Sequence, residues 1–179
     1  LHDARYQMYW QLTTREEIPA KRERLAAEER AKAVREANTL DQVTPGEQQP
    51  EVEHDFTGEG TETGTLPGRR WRNGRSFQYT LDTRGEKAVD LAVTYRGGDR
   101  DRNFDLLANG RFLAIEHLDG YRQGQFFEKR YPLPAEVLAT TTNGRITIKF
   151  IAASGLAGGV FDVRLMKSDW RWYSPEQGI

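Results

Sequence analysis

The sequence contains no cysteine among its 179 residues. This absence excludes disulfide bonds, zinc–thiolate sites and a cysteine nucleophile within the chain. An excess of either charge is also missing, because 26 basic and 27 acidic residues give a formal net charge of −1. Such a balance does not favour a nucleic-acid or membrane-surface partner. No apolar run approaches the roughly 20 residues that a membrane-spanning helix needs.

The first 12 residues alternate between apolar and polar side chains, which is the period of a β-strand. His2, Tyr6 and Trp10 fall on one face, and Asp3 and Arg5 fall on the other. The chain begins inside this pattern, without an initiator methionine or a signal peptide. We therefore expect residues 1–12 to be the terminal strand of a preceding, absent domain of a longer protein.

Residues 13–43 are rich in Ala, Glu, Arg and Lys and predict a charged connecting α-helix. Pro19 is compatible only with its beginning. Residues 44–68 follow with many Pro, Gly and Glu and predict an extended linker that packs on the next domain. Within this linker, residues 52–56 are expected to form a short edge strand.

Residues 69–179 contain a series of short alternating segments separated by turns. Phe77, Tyr79 and Leu81 share one face of such a segment, and the pair Asn109-Gly110 is a strong hairpin signal. Seven or eight short strands of this kind are typical of an all-β domain. We therefore predict a jelly-roll-like antiparallel β-sandwich.

Four stretches of the sequence resemble a known family: PGEQQPEVEHDFTGEGTETG, GRRWRNG, VTYRGGDRDRNFDLLANGR and ASGLAGGVFDVRLMK. Together they resemble the C-terminal region of bacterial beta-L-arabinofuranosidase-like glycoside hydrolases, family 127 and its relatives. The resemblance implies that the chemistry belongs to a preceding helical barrel with a Cys nucleophile and a zinc ion. It implies a periplasmic or secreted protein in which this chain is a non-catalytic accessory domain that packs on its own catalytic domain.

A tryptophan flanked by arginines is the first candidate for ligand contact. Trp71 offers a flat face for stacking on a sugar, and Arg69, Arg70 and Arg72 offer donors to its hydroxyls. The alternative is that Trp71 belongs to the core, as large aromatic residues usually do.

The loop after Tyr95 supplies the second group of candidates, in which Tyr95, Arg100 and Arg102 would also contact sugar. Acidic residues alternate in the same loop, but an EF-hand requires a Gly and a Glu where Phe104 and Gly110 stand. A looser metal site at the loop aspartates remains an alternative (Asp99, Asp101 and Asp105). The simplest alternative is a turn at Gly97-Gly98 with the acids paired to the arginines.

Three functions follow from these features, and none requires a catalytic residue or a cofactor in this chain. The first is a non-catalytic domain that supports the catalytic domain of a glycoside hydrolase acting on arabinose-containing polysaccharides. The second is a carbohydrate-binding module. The third is an oligomerisation unit that uses the helix of residues 19–40 and the aromatic tail of residues 170–173.

Overall fold

The computed structural model describes residues 17–66, 68–120 and 124–168. The described residues divide into two compact units, one with residues 17–37 and the other with the described residues from 38 to 168. The predicted strand at residues 1–12 and the aromatic tail lie outside the described residues. No helix in the described ranges is long and apolar enough to cross a membrane.

The described part of the first unit is a single charged helix, α1 (Glu17–Asn38). Pro19 lies in its first turn, where a proline removes no helical hydrogen bond. Two surface ion pairs join residues four positions apart, Arg24 with Glu28 and Lys32 with Glu36. Pairs of this kind stabilise a helix by about 0.3–0.5 kcal/mol each.

The second unit is an antiparallel β-sandwich of jelly-roll type, which confirms the predicted fold. Two short helices, α2 (Gln48–Glu53) and α3 (Ala135–Leu138), interrupt its strands. The strands in chain order are β1 (Thr39–Val43), β2 (Thr57–Glu59), β3 (Glu62–Leu66), β4 (Arg69–Gly74), β5 (Ser76–Asp82), β6 (Val89–Arg96), β7 (Arg102–Ala108), β8 (Arg111–Leu118), β9 (Phe126–Pro132), β10 (Arg145–Ser154) and β11 (Ala157–Lys167).

The strands form two sheets whose pairings are all antiparallel. The first sheet has the order β3-β4-β11-β6-β9, and β1 also pairs with β11. The second sheet has the order β2-β5-β10-β7-β8. Inward side chains of both sheets form one buried core, in which Phe150 of β10 stacks on Phe77 of β5 at 4.8 Å between ring centroids. The hairpin at Asn109-Gly110 is present, and both residues have the positive φ of a type I′ turn.

Three predicted elements are wrong. The helix does not extend to residue 43, because β1 takes residues 39–43 and places Leu40 and Val43 in the core. Residues 44–66 do not form an extended linker, since they supply α2, β2 and β3. The edge strand predicted at residues 52–56 is absent, because α2 continues to Glu53 and a turn follows it. Glu51 of α2 is buried and hydrogen-bonded. The division of the chain into four segments otherwise stays a prediction.

A buried histidine joins α2 to β1. His54 Nδ1 lies 2.6 Å from the carbonyl oxygen of Pro50, and Nε2 lies 3.2 Å from Asp41 Oδ1. Both nitrogens can donate only in the imidazolium form. The hydrogen bond to Asp41 raises the pKa of His54 above its usual value of 6.5, although burial acts in the opposite direction.

This pair predicts a pH dependence of stability. Because the pKa of His54 is higher in the folded protein than in the unfolded one, protonated His54 stabilises the fold. This stabilisation is fully present below the unfolded pKa, and it is lost as pH rises through the folded pKa. We expect the free energy of unfolding to fall as pH rises from about 6.5 through the higher folded pKa of His54. His54→Gln should flatten this dependence in urea denaturation, whereas His117→Gln at an exposed position should preserve it. Parallel pH curves for the wild type and His54→Gln would contradict the assignment.

Candidate functional site

A cleft of about 180 Å³ opens on the outer face of the first sheet. Its walls come from β3, β4, β11 and the last residue of β6, all in this sheet, and from the turn that follows β6. Arg102, the first residue of β7 in the second sheet, closes the cleft on one side. Trp71 and Phe161 supply the aromatic surface, and Gly159 lies between them. A Cβ atom on Gly159 would lie 3.0 Å from Asp99 Oδ2 and 3.5 Å from the Phe161 ring, so the missing side chain leaves this space open.

Strand β4 directs alternate side chains to opposite sides of the sheet. Arg72 points inward, where its guanidinium binds the buried carboxylate of Glu51. Trp71 and Asn73 therefore point outward and line the cleft. Gly64 of β3 pairs with Trp71, and a Cβ atom there would lie 2.5 Å from the indole ring. The glycine thus allows the half-buried indole to lie close against the neighbouring strand.

The Arg-Gly-Gly-Asp turn brings charged side chains to the same cleft. The Asp99 N–H donates to the carbonyl of Arg96 at 3.2 Å, which closes the turn and places both residues beside Arg102 in the cleft wall. Burial raises the pKa of the Asp99 carboxyl, and Arg102, Arg96 and the Gly159 N–H only partly offset this effect. The cleft therefore combines two cationic donors with one partly desolvated carboxylate.

Two lining residues hold a buried polar atom without a hydrogen-bond partner in the described part of the chain. These atoms are Asn73 Oδ1 and Arg102 Nε. More than nine in ten buried polar groups in proteins are paired, so such atoms need an explanation. A polar ligand in the cleft would supply one, because Oδ1 accepts and Nε–H donates.

A wider groove of about 540 Å³ lies beside α2. Its charged side chains are already engaged, since Glu51 binds Arg72 and Asp55 binds Arg145. Val52 is 66% exposed there and adds apolar surface. The smaller cleft is the better candidate, because it contains polar atoms that the described residues leave unpaired.

The structure brings together only part of the predicted site. Trp71, Asp99 and Arg102 line the cleft. The interpretation of Tyr95 as a ligand contact is wrong, because this residue is completely buried and its hydroxyl lies 3.2 Å from that of Tyr131.

Three other predicted residues lie away from the cleft lining. Arg100 packs against Gly120, where an added Cβ would lie 2.5 Å from its Nε. Asp101 is exposed, and Asp105 pairs with Ile115 in the second sheet. Among the described residues, no group of three or more His, Asp or Glu side chains could hold a metal ion. Asn73, Arg96 and Phe161 join the site without having been predicted, and Arg69 stands near it at the start of β4.

The outer face of the second sheet carries a separate apolar surface, which we call the second-sheet patch. It consists of Leu107, Phe112, Ile115 and Ile151. The side chains of Phe112 and Ile115 are 61% and 67% exposed. Cross-strand pairing aligns Leu107 with Phe112, and Asp105 with both Ile115 and Ile151. These residues therefore share one face of the sheet.

Comparison with known proteins gives a family match and a fold match. Residues 35–166 match the family described as "Family of unknown function (DUF6805)". No curated protein matches the sequence. A family 35 carbohydrate binding module from an environmental isolate is similar in structure, with a TM-score of 0.51 and 12% identity, over 70% of this chain and 91% of that one. The family 35 module from Paenibacillus barcinonensis gives a TM-score of 0.48 and 16% identity over 63% and 93%.

Proposed function

The chain belongs to the family DUF6805, whose function is unassigned, and we propose that its sandwich is a non-catalytic carbohydrate-binding domain. The sugar would occupy the cleft at Trp71. One observation carries this proposal: an aromatic side chain and two buried polar atoms without described partners, Asn73 Oδ1 and Arg102 Nε, meet in one small cleft.

The chemistry of the cleft suits a sugar. A sugar ring presents C–H groups on its faces and hydroxyls around its edge. The Trp71 indole can stack on the C–H groups, Asn73 Oδ1 can accept from a hydroxyl, and Arg102 can donate to one. Polar groups placed next to aromatic side chains are typical of small-molecule sites, and half of the residues that line this cleft are polar or charged.

The same cleft offers little for catalysis. Most glycoside hydrolases need two carboxyl groups that flank the scissile bond. Asp99 is the single carboxylate among the described residues that line the cleft. We therefore propose binding without hydrolysis, with no cofactor required.

Two further features support the proposal. The fold is shared with a family 35 carbohydrate binding module. The motifs resemble the C-terminal region of beta-L-arabinofuranosidase-like hydrolases. The domain would therefore belong to a longer protein that degrades polysaccharides. A domain that binds polysaccharide in such a parent would act in the periplasm or outside the cell.

We expect Trp71→Ala to weaken sugar binding at least about tenfold, because central aromatic anchors contribute about 2 kcal/mol or more. The complete chain would be screened on a glycan array of arabinan, galactan and xylan fragments, and the hits titrated by calorimetry. Phe112→Ala is the matched control, since it removes an exposed ring on the other sheet. Absence of binding at millimolar sugar, or equal affinity of Trp71→Ala and wild type, would refute the proposal.

A second candidate function is support of a catalytic domain in the same parent. The second-sheet patch favours it, because Phe112 and Ile115 expose apolar area on a regular sheet face. Exposed apolar side chains that gather on one face often mark protein contacts. In this patch Asp105 lies between Ile115 and Ile151 and adds one charge to the apolar surface. Such a packing surface and the sugar cleft lie on different faces and do not exclude each other.

A further inference from the structure

The row of outward side chains on β4 continues beyond the cleft. Asn73 is buried, Trp71 is half-buried, and Arg69 is exposed, so burial decreases along the row. Two residues along a strand span about 7 Å. Arg69 therefore lies one outward position beyond Trp71, within reach of a sugar unit that follows the one at Trp71.

Arg69 is held in place by a phenylalanine from the far edge of the same sheet. Its guanidinium carbon lies 4.6 Å from the ring centroid of Phe126. Arg69 is on β4 and Phe126 is on β9, and strands β11 and β6 run between them. The contact therefore reaches across two intervening strands, and a cation–π contact of this kind stabilises the position of the guanidinium group.

The Phe126 ring is continuous with the cleft. It meets Phe161 edge to face at 4.8 Å between centroids, and Phe161 lines the cleft. It also pairs across the strands with Arg96, another lining residue. Phe126 remains 36% exposed. Aromatic side chains are thus present from the cleft, at Trp71 and Phe161, to the exposed Arg69–Phe126 pair.

We propose that Arg69 and Phe126 form a second sugar subsite beside the cleft, so that the domain binds an oligosaccharide of at least two units. This inference rests on the proposed function. The guanidinium carries several N–H donors in a fixed plane, which suits the hydroxyls around a sugar ring. Because Phe126 already restricts Arg69, less conformational entropy is lost when these donors bind.

The test is a length series measured by calorimetry on the complete chain. Arabino-, galacto- and xylo-oligosaccharides of one to four units would be titrated into wild type, Arg69→Gln, Phe126→Ala and Phe112→Ala. The wild type and Phe112→Ala should bind the disaccharide of the preferred series about tenfold more tightly than the monosaccharide. Arg69→Gln should reduce this ratio to less than about threefold, with monosaccharide affinity unchanged within about twofold. Phe126→Ala should reduce the ratio to the same extent.

The outcomes separate the two proposals. If the wild type binds all lengths equally, or if both variants keep the tenfold ratio, the second subsite is refuted and the cleft proposal stands. If the wild type binds no saccharide, both proposals are refuted. Arg69→Gln changes an exposed side chain only, so it keeps the test valid if Phe126→Ala unfolds.

Discussion

Glu51→Ala is expected to lower the free energy of unfolding by about 3–5 kcal/mol. The Glu51 side chain is 7% exposed and accepts hydrogen bonds from Arg72 Nε at 2.9 Å, from the Tyr79 hydroxyl at 3.0 Å and from the Gly46 N–H at 2.8 Å. Removing the carboxylate leaves the Arg72 guanidinium buried and unpaired. Breaking a buried ion pair on one side costs more than the pair itself contributes.

Two controls isolate this effect in urea denaturation. Glu59→Ala removes an ion pair with Arg75 in which both side chains are more than 70% exposed, and should change stability by less than about 1 kcal/mol. The double variant Glu51→Leu with Arg72→Met removes both charges and should recover part of the loss. Equal effects of Glu51→Ala and Glu59→Ala would contradict a structural role for the buried pair.

Phe150→Ala is expected to cost a similar amount, about 3–5 kcal/mol, for a different reason. Its ring is completely buried, stacks on Phe77 at an interplanar angle of 15°, and lies 6.3 Å from Phe104. Strand β10 pairs with both β5 and β7, so the cavity would open at the centre of the second sheet. Chemical denaturation followed by circular dichroism measures the loss.

The comparison variants for Phe150 vary burial and volume separately. Phe150→Leu keeps most of the volume and should cost less than Phe150→Ala. Phe112→Ala makes the same chemical change at a ring that is 61% exposed, and should stay within about 0.5 kcal/mol of wild type. A small loss for Phe150→Ala would mean that the core collapses to fill the cavity.

The strands from residue 76 onward were predictable because their signals are local. Phe77, Tyr79 and Leu81 alternate, and all three are buried as the period requires. The Asn109-Gly110 pair fixes the β7–β8 hairpin through its own backbone preferences, without help from distant residues. Patterns of this kind are readable from the sequence because a half-exposed strand has polar and apolar faces.

Apart from α1, the elements before residue 76 were missed because the contacts that determine them are distant in sequence. Strand β1 continues directly from a helix-forming segment and contributes only Leu40 and Val43 to the core. Its pairing partner β11 is more than 100 residues away. The short helix α2 places Glu51 against Arg72 and Tyr79, which belong to later strands. Tertiary contacts of this kind override local propensity.

The site residues also divide into those that the local sequence indicates and those that only the fold brings to the cleft. Trp71 was recognisable from its type and its arginine neighbours, whereas Asn73 joins the cleft only because β4 alternates, and β4 was not predicted. The sequence already indicated that Tyr95 is buried, because it falls on the same face of the strand as Val89, Leu91 and Val93. All four side chains are buried on that face.

The cleft lies on the outer face of one sheet, and the second-sheet patch lies on the outer face of the other. Sheets in a sandwich are about 10 Å apart, so the two surfaces look in opposite directions. A neighbour docked on the patch would leave the cleft open to solvent. In the proposed function, a catalytic domain on the patch would be held close to the polysaccharide that the cleft binds. This proximity would raise the effective concentration of the glycan at the catalytic domain without any new contact in its active site.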